Sequence, residues 1–339
     1  MILSRPFGLL RKTGILLAYV AGALVLLWTF GAIWYDSPLP SAGRKITAVL
    51  FLGLLGYLWF PRKWKQRAVA LCLTGSVMAW WFTLSPREDR PWQPDVSRTA
   101  SAEIRGDRVI IHNIRKCDYR TETDYTPRWE TRTVELSEIT GIDVALTYWG
   151  SPYMAHPIIS FQFTDSPPLC FSIETRKEAG ESYSSIGGFY RQYELIYIVA
   201  DERDVIRLRT NFREGEDVHL YRLNITAEQA RERFMDYVNA LNKLHSEPHW
   251  YNAATTNCTT AIRTQHAAKE RAPWDWRILV NGKSDEMLYE RGALKTGGLP
   301  FPELKRRSLI NPLAHDKGDA PDFSTLIRSN LPTETTPPP

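Results

Sequence analysis

The sequence predicts an α+β domain carried behind membrane-spanning helices, and three observations predict it. The first eighty-odd of the 339 residues are mostly apolar. From about residue 104 to 222 the chain holds runs of β-branched and aromatic residues with partial alternation, bounded by Gly, Pro and Asp. After them comes one clearly amphipathic stretch, TAEQARERFMDYVNALNKLH.

Three membrane spans are expected within a region 1–84. TGILLAYVAGALVLLWTFGAIWY (13–35) carries no charge and is long enough for a hydrocarbon core of roughly 30 Å. ITAVLFLGLLGYLWF (46–60) is shorter, with Arg44, Lys45 and Arg62 placed to snorkel at its ends. AVALCLTGSVMAWWFTL (68–84) is the third. The two shorter runs are also compatible with a re-entrant hairpin. Arg5, Arg11 and Lys12 precede the first run as in a signal peptide, but no small-residue cleavage site follows and further apolar runs do. Trp28, Trp34, Trp59, Trp64, Trp80, Trp81 and Trp92 lie near the ends of these segments, where interface belts place tryptophan.

Lysine and arginine placement sets the orientation. Arg5, Arg11 and Lys12 lie before the first span, and Arg62, Lys63, Lys65 and Arg67 fill the loop between the second and third. The loop between the first and second has only Arg44 and Lys45. This puts the N-terminus in the cytoplasm and, with three spans, everything after Leu84 outside, in a multi-pass membrane protein. The net charge of +4 is modest and the basic residues are scattered, so no nucleic-acid stripe is expected.

A proline-bearing linker is expected at 85–101, a domain at 102–330 and a disordered tail at 331–339. RVIIHNI, RTVELSEITGIDVALTYW, HPIISFQF and LCFSIET read as strands, and further strands are expected around 193–199 and in DVHLYRLNI. A short helix is expected after Asp201. Thr226 and Gln229 form a capping box for the amphipathic helix, whose apolar face is Ala230, Phe234, Val238 and Leu241. NCTTAIRTQHAAK starts a second helix, and the part after Pro273 reads as helical in pieces.

Of four cysteines, Cys72 falls in the third span. Cys117 and Cys170 sit in strand-like contexts, compatible with a disulfide or with two small core residues. Cys258 is the odd one out, at the mouth of a helix, where N–H groups and the dipole lower a thiol pKa. Its plain alternative is a small buried residue. A thiol nucleophile needs a base. His156 opens the strand AHPIISFQF and is the histidine best placed, although a lone histidine is more often structural. His266 lies two helical turns beyond Cys258, too far to act on it. His245 and His249 bracket HSEPH, but Pro248 breaks the helix that would align them, and no metal site is expected. Glu174 follows His156 by eighteen residues, a distance suited to adjacent antiparallel strands, and Arg176 shares its parity. The pair is equally compatible with a surface ladder. Gly-x-Ser-x-Gly, Walker and Rossmann patterns are absent.

Taken together, AHPIISFQF, SIETRKE, YELIYIVADERD, VHLYRL and YNAATTNCTT resemble a bacterial family that includes the Lnb-type lipoprotein N-acyltransferases, over about 104–268. The resemblance implies a circularly permuted papain-like (NlpC-type) fold, in which the histidine strand precedes the cysteine helix. It implies Cys258 as nucleophile and His156 as base, without a cofactor. Glu174 as the orienting group follows from strand parity, and Asn257, Thr259 and Arg176 are expected to shape the site. The expected reaction moves an acyl chain from a membrane phospholipid, through a Cys258 thioester, to the N-terminal amine of a lipoprotein. Rival expectations are a lipid hydrolase or thioesterase, a cell-wall cysteine amidase or peptidase, and a non-catalytic envelope module.

Overall fold

A computed structural model describes residues 5–61, 63–265, 273–278, 280–318 and 320–332. Arg62, His266 and most of the expected tail, 333–339, lie outside the described residues. The chain divides into two compact units: Met1–Arg87 with Tyr183–Tyr193, and Glu88–Ser182 with Glu194–Pro339.

The first unit holds helices α1 (Arg5–Asp36), α2 (Ser41–Trp59) and α3 (Trp64–Thr83). The 25-residue part Lys12–Asp36 of α1 and the 19 residues of α2 are long and apolar enough to cross a bilayer. The helix expected at 68–84 forms, but it opens with Lys65, Gln66 and Arg67 and falls short of that measure. Leu16, Leu24, Leu50, Tyr57 and Leu71 are exposed on these helices, as side chains facing lipid would be. Arg44 lies within the first turn of α2 and donates to the Tyr35 carbonyl (3.0 Å).

Tyr183–Tyr193 falls inside the domain expected at 102–330, yet it packs with the helices. The Asp36 carboxylate accepts from the Trp81 indole (2.6 Å) and from the Arg191 amide (3.0 Å). The Arg191 guanidinium lies 4.0 Å from the centre of the Trp81 ring and donates to the Trp81 carbonyl (2.7 Å) and to that of Leu84. Tyr190 stacks on Tyr35 at 5.2 Å. Gly31 makes room for it: a Cβ there would stand 1.9 Å from the Tyr190 hydroxyl.

In the second unit the expected strands form as β2 (Arg108–Arg115), β7 (Ala155–Phe163), β8 (Leu169–Arg176), β9 (Glu194–Asp201) and β10 (Glu216–Arg222). RTVELSEITGIDVALTYW is divided by a turn at Leu136–Glu138 into β5 (Trp129–Glu135) and β6 (Ile139–Trp149), and β1 (Ser101–Arg105) and the short pair β3 (Asp118–Tyr119) and β4 (Tyr125–Thr126) were not foreseen. Eight of them make one sheet in the order β1-β2-β9-β8-β7-β6-β10, with β5 also paired to β2. All neighbours are antiparallel except β2 and β9, which meet in parallel at Arg115 and Ala200. The short helix α4 (Glu202–Arg207) follows β9 as expected and runs into a widened π-type turn, Leu208–Phe212.

Side chains alternate across a strand, so the sheet has two faces. Ala145, Ile158, Cys170, Ile196 and Ile198 pack with Val205 and Ile206 of α4 on one of them, the α4 face. Phe161 and Phe171 point the other way and meet Phe234 and Tyr237 of α5 (Ala227–Ser246) at ring separations of 5.0–5.8 Å. The Thr226–Gln229 capping box is present at the start of α5, and Ala230, Phe234, Val238 and Leu241 are buried. Burying each of the larger side chains is worth roughly 1.5–3 kcal/mol, which holds a helix of low overall hydropathy on the sheet. α6 (Cys258–Thr264) and α7 (Ser284–Glu290) complete the α5 face. α8 (Phe301–Ser308), α9 (Asn311–Lys317) and α10 (Phe323–Leu326) close the domain, with Ala314 of α9 and Phe323 of α10 in the α4-face core.

Cys117 and Cys170 are both buried free thiols in separate clusters, so here they are core residues rather than a disulfide. Burial pushes the Cys117 thiol up to about 11.

Candidate functional site

Cys258 is the first residue of α6, and the segment around it is built to present that helix start. Asn257 caps it, its side-chain oxygen accepting from the amides of Thr259 (3.1 Å) and Thr260 (2.9 Å), while the Thr260 hydroxyl accepts from the Asn257 amide (2.9 Å). The Asn257 amide nitrogen ties back to the Ala253 carbonyl (2.8 Å). Two N–H groups of the helix start are thus already satisfied by the cap.

A side chain not foreseen from sequence stands over the sulfur. Asn281 donates towards Cys258 Sγ (3.7 Å) and to Thr259 Oγ1 (3.3 Å), while its oxygen accepts from the Ala155 amide at the start of β7 (3.0 Å). Asn281 therefore links the first residue of the histidine strand to the thiol. Its neighbour Gly282 lies directly against the turn before β7, its amide bonded to the Tyr153 carbonyl (3.1 Å). The signal was present in the sequence as the Asn-Gly pair of VNGKSD, a turn signature in a stretch with no periodicity. The Cys258 thiol is half-buried. Burial pushes its pKa up, against the hydrogen bonds from Thr259 and Asn281, so the thiol carries its proton at neutral pH.

The structure brings His156 and Glu174 together, but not His156 and Cys258. His156 pairs with Thr147 across to β6, and its ring shares the α4 face with Ile158. There Nε2 hydrogen-bonds to the Ser172 hydroxyl (2.7 Å), which donates to Glu174 Oε1 (2.7 Å), and Arg209 from the π-type turn donates to the same oxygen (3.1 Å). His156 Nε2 lies 3.9 Å from Glu174 Oε1. Cys258 belongs to a helix on the α5 face, where Gln265 at the end of α6 donates to the Tyr197 hydroxyl (3.1 Å). The expected dyad is therefore not assembled in this geometry: strand alternation carries the imidazole through the sheet, away from the sulfur.

Burial and the charge of Arg209 together push His156 down to about 3, against the attraction of Glu174. Burial raises the Glu174 pKa, but the nearby charges of Arg209 and Arg115 outweigh it and hold the carboxyl well below its usual range. The sign for stability follows. Between pH 6.5 and about 3 an unfolded chain protonates this histidine while the folded one refuses the proton, so stability falls as pH drops through that window. Burial lowers His219 as well, in the same direction. His156→Gln is expected to flatten the fall in unfolding free energy between pH 6.5 and 4.5 by up to roughly 1.4 kcal/mol per pH unit, measured by urea titration at a series of pH values. An unchanged slope would mean that this ring does not resist protonation.

Arg176 has the parity of Glu174, as expected, but serves elsewhere. It is buried, donates to the carbonyls of Val96 (3.0 Å) and Ser97 (3.1 Å), pairs with Glu88 (2.9 Å) and lies 4.3 Å over the Trp92 ring. It fastens the stretch 88–97 to the sheet.

The model of the Lnb N-terminal periplasmic domain family matches residues 125–282. The resemblance read from the sequence is shown for this segment, which includes His156, Glu174, Cys258 and Asn281. No curated protein and no solved structure matches the chain. With two helices long and apolar enough to span a bilayer, the chain is a membrane-associated envelope protein with an extracytoplasmic domain.

Beside Cys258 the second unit has an apolar groove of about 930 Å³ on the α5 face. Val144 and Leu146 of β6 and Pro157 and Ile159 of β7 form its floor, with Ile262 of α6 and Met287 of α7 among its walls. Thr259, the residue between the thiol and Asn281, lines it too.

Proposed function

We propose that the protein is a membrane-anchored, thiol-dependent acyltransferase. The observation that carries this reading is a single cysteine at a capped helix start, with an amide side chain over its sulfur, beside an apolar groove in an Lnb-type domain. The Cys258 thiol attacks an ester carbonyl of a membrane lipid. A thioester forms and the ester C–O bond breaks, while water carries the thiol proton to the leaving lyso-lipid alkoxide, the His156 ring lying on the other face of the sheet. An amine, the N-terminus of a lipoprotein, then displaces the sulfur, forming an amide and restoring the thiol. The Asn281 amide and the Cys258 N–H are the donors best placed to receive the developing oxyanion.

His156 enters this scheme as a positioning residue. The His156–Ser172–Glu174–Arg209 chain fixes β7, whose first amide holds Asn281. The helices are read as three spans with the N-terminus cytoplasmic, and the sheet with α6 as a circularly permuted papain-like arrangement in which the strand of His156 precedes the helix of Cys258. Anchorage keeps the thiol at the leaflet where donor and acceptor both reside, which raises their effective concentration.

The test uses the full chain in lipid bilayers with a diacylated lipoprotein. Hydroxylamine-sensitive acylation should appear on Cys258 of the native protein, and mass spectrometry should find N-acylated lipoprotein. Cys258→Ala should lower transfer on the order of 10³-fold or more. Full activity in that variant would overturn the reading. Acyl-enzyme that forms normally but yields only free fatty acid would make the protein a hydrolase.

A further inference from the structure

The turn within Tyr183–Tyr193 presents two large apolar side chains on its outside, and we infer that they enter the lipid leaflet at the Asp36 end of α1. From Ser182 to Tyr190 the chain carries no charge. Ile186 is 63% and Phe189 52% exposed, with Tyr183 exposed beside them. A single exposed apolar residue is ordinary. These are close neighbours on a turn held by its own hydrogen bonds. Gly187 donates to Ser184 Oγ (3.1 Å), Gly188 to the Ser184 carbonyl (2.9 Å), Phe189 to the Ile186 carbonyl (3.0 Å) and Tyr190 to the Gly187 carbonyl (3.0 Å). The next amide, that of Arg191, is taken by Asp36 (3.0 Å). Irregular backbone is costly in a bilayer because its N–H groups find no water there. From Gly187 to Arg191 this turn brings no unpaired amide, so what it adds to the leaflet is side chains.

Its depth follows from the helix it packs on. The stretch Lys12–Asp36 is 25 residues long. That is about 37 Å of helix against a hydrocarbon core of roughly 30 Å, so its ends reach the headgroups. Tyr190 stacks on Tyr35 and lays its hydroxyl against Gly31, about 7 Å along the helix from Asp36 towards the bilayer interior. Gly187 is buried, and a Cβ there would stand 3.3 Å from Tyr35 Cδ1, so the turn closes onto the helix. Tyr35, Trp81 and Tyr190 give this level the aromatic character of a membrane interface. The Arg191 charge is drawn inward over Trp81, onto the carbonyls that end α3. Ile186 and Phe189 thus add to the lipid-facing surface that Leu24, Leu50 and Leu71 provide in the same unit. The contact needs the helices to span the bilayer and is independent of the acyl-transfer reading.

The experiment uses the full chain in nanodiscs of phosphatidylethanolamine and phosphatidylglycerol. Cys72 and Cys258 are replaced by serine, and the buried Cys117 and Cys170 stay in place. Ile186→Cys and Phe189→Cys, each carrying an environment-sensitive fluorophore, are compared with Thr123→Cys on the exposed turn between β3 and β4. A nitroxide near the ester end of a lipid acyl chain should quench the probes at 186 and 189 about 3-fold or more above that at 123. Aqueous iodide should quench them about 3-fold or more below it. Iodide quenching equal to that at 123 would put the turn in water and overturn the inference. Protection from iodide without quenching by the lipid nitroxide would mean that protein covers the turn, whether a second copy or another chain, and would overturn it too. If neither labelled chain keeps the native circular dichroism, the unsubstituted protein is irradiated with a phospholipid bearing a diazirine near the ester. Label is then expected on the peptide 182–190, and label on α1 and α2 with none on that peptide would sink the inference.

Discussion

Asp204→Ala should be close to unfolding for the extracytoplasmic domain. Arg115 on β2 and Asp204 on α4 are both buried, and one carboxylate oxygen accepts from the guanidinium at 2.9 Å and 2.7 Å. The second oxygen accepts from the Cys117 amide at 2.7 Å. Removing the carboxylate leaves the guanidinium with only the longer ion pair to Asp95 (3.7 Å) and strands a backbone N–H, at a cost of about 3–5 kcal/mol. Domains of this kind hold only about 5–15 kcal/mol in all. Urea or thermal unfolding of the full chain would measure it, with a midpoint lowered by several degrees and a drop in expression expected. The pair itself is not irreplaceable: Arg115→Met with Asp204→Leu should recover much of the loss, because no charge is then buried alone. If Asp204→Ala unfolded like the native protein, the pair would be contributing nothing.

Gly282→Ala should abolish most activity and leave the fold intact. A Cβ at this position would lie 2.4 Å from the Tyr153 carbonyl carbon and 2.6 Å from the Met154 nitrogen and the Pro152 oxygen. These are backbone atoms in the turn before β7 and cannot rotate away, so the segment carrying Asn281 must lift. Asn281 then loses the Ala155 amide and its approach to Cys258 and Thr259. A displacement of about 1 Å at a reacting group can cost on the order of 10²-fold. The check is the acyl-transfer rate beside a thermal midpoint. A normal rate would mean that Asn281 has no part in the reaction.

These two sites show what one chain reveals by itself. The capping box of α5, its buried face and the positions of β6 to β8 were legible, because helix and strand periodicity are local properties. His156 could be placed on a strand and Glu174 on its neighbour, and the two do meet through Ser172. Which face of the sheet α6 would cover was not legible. Parity relates residues along strands, but the side on which a later helix docks is decided by packing across the whole core. Arg176 illustrates the same gap: its parity was read correctly, while its partners Val96, Ser97 and Glu88 lie about eighty residues away in sequence. Asn281 was missed because the stretch after Pro273 folds into short turns with no period to detect.

The segment Tyr183–Tyr193 belongs with the helices, while β8 before it and β9 after it belong to the other unit. The polypeptide therefore passes between the units at Arg87–Glu88, at Ser182–Tyr183 and again at Tyr193–Glu194. A single protease cut in the 85–101 linker would sever one of these passages and leave the 183–193 loop still packed among the helices. A fragment beginning at Glu88 would carry Tyr190 and Arg191 without Gly31, Tyr35 and Asp36, and would expose an adhesive loop in place of a finished surface. The tether to the bilayer is a stitch passed through the fabric, not a leash clipped to one end.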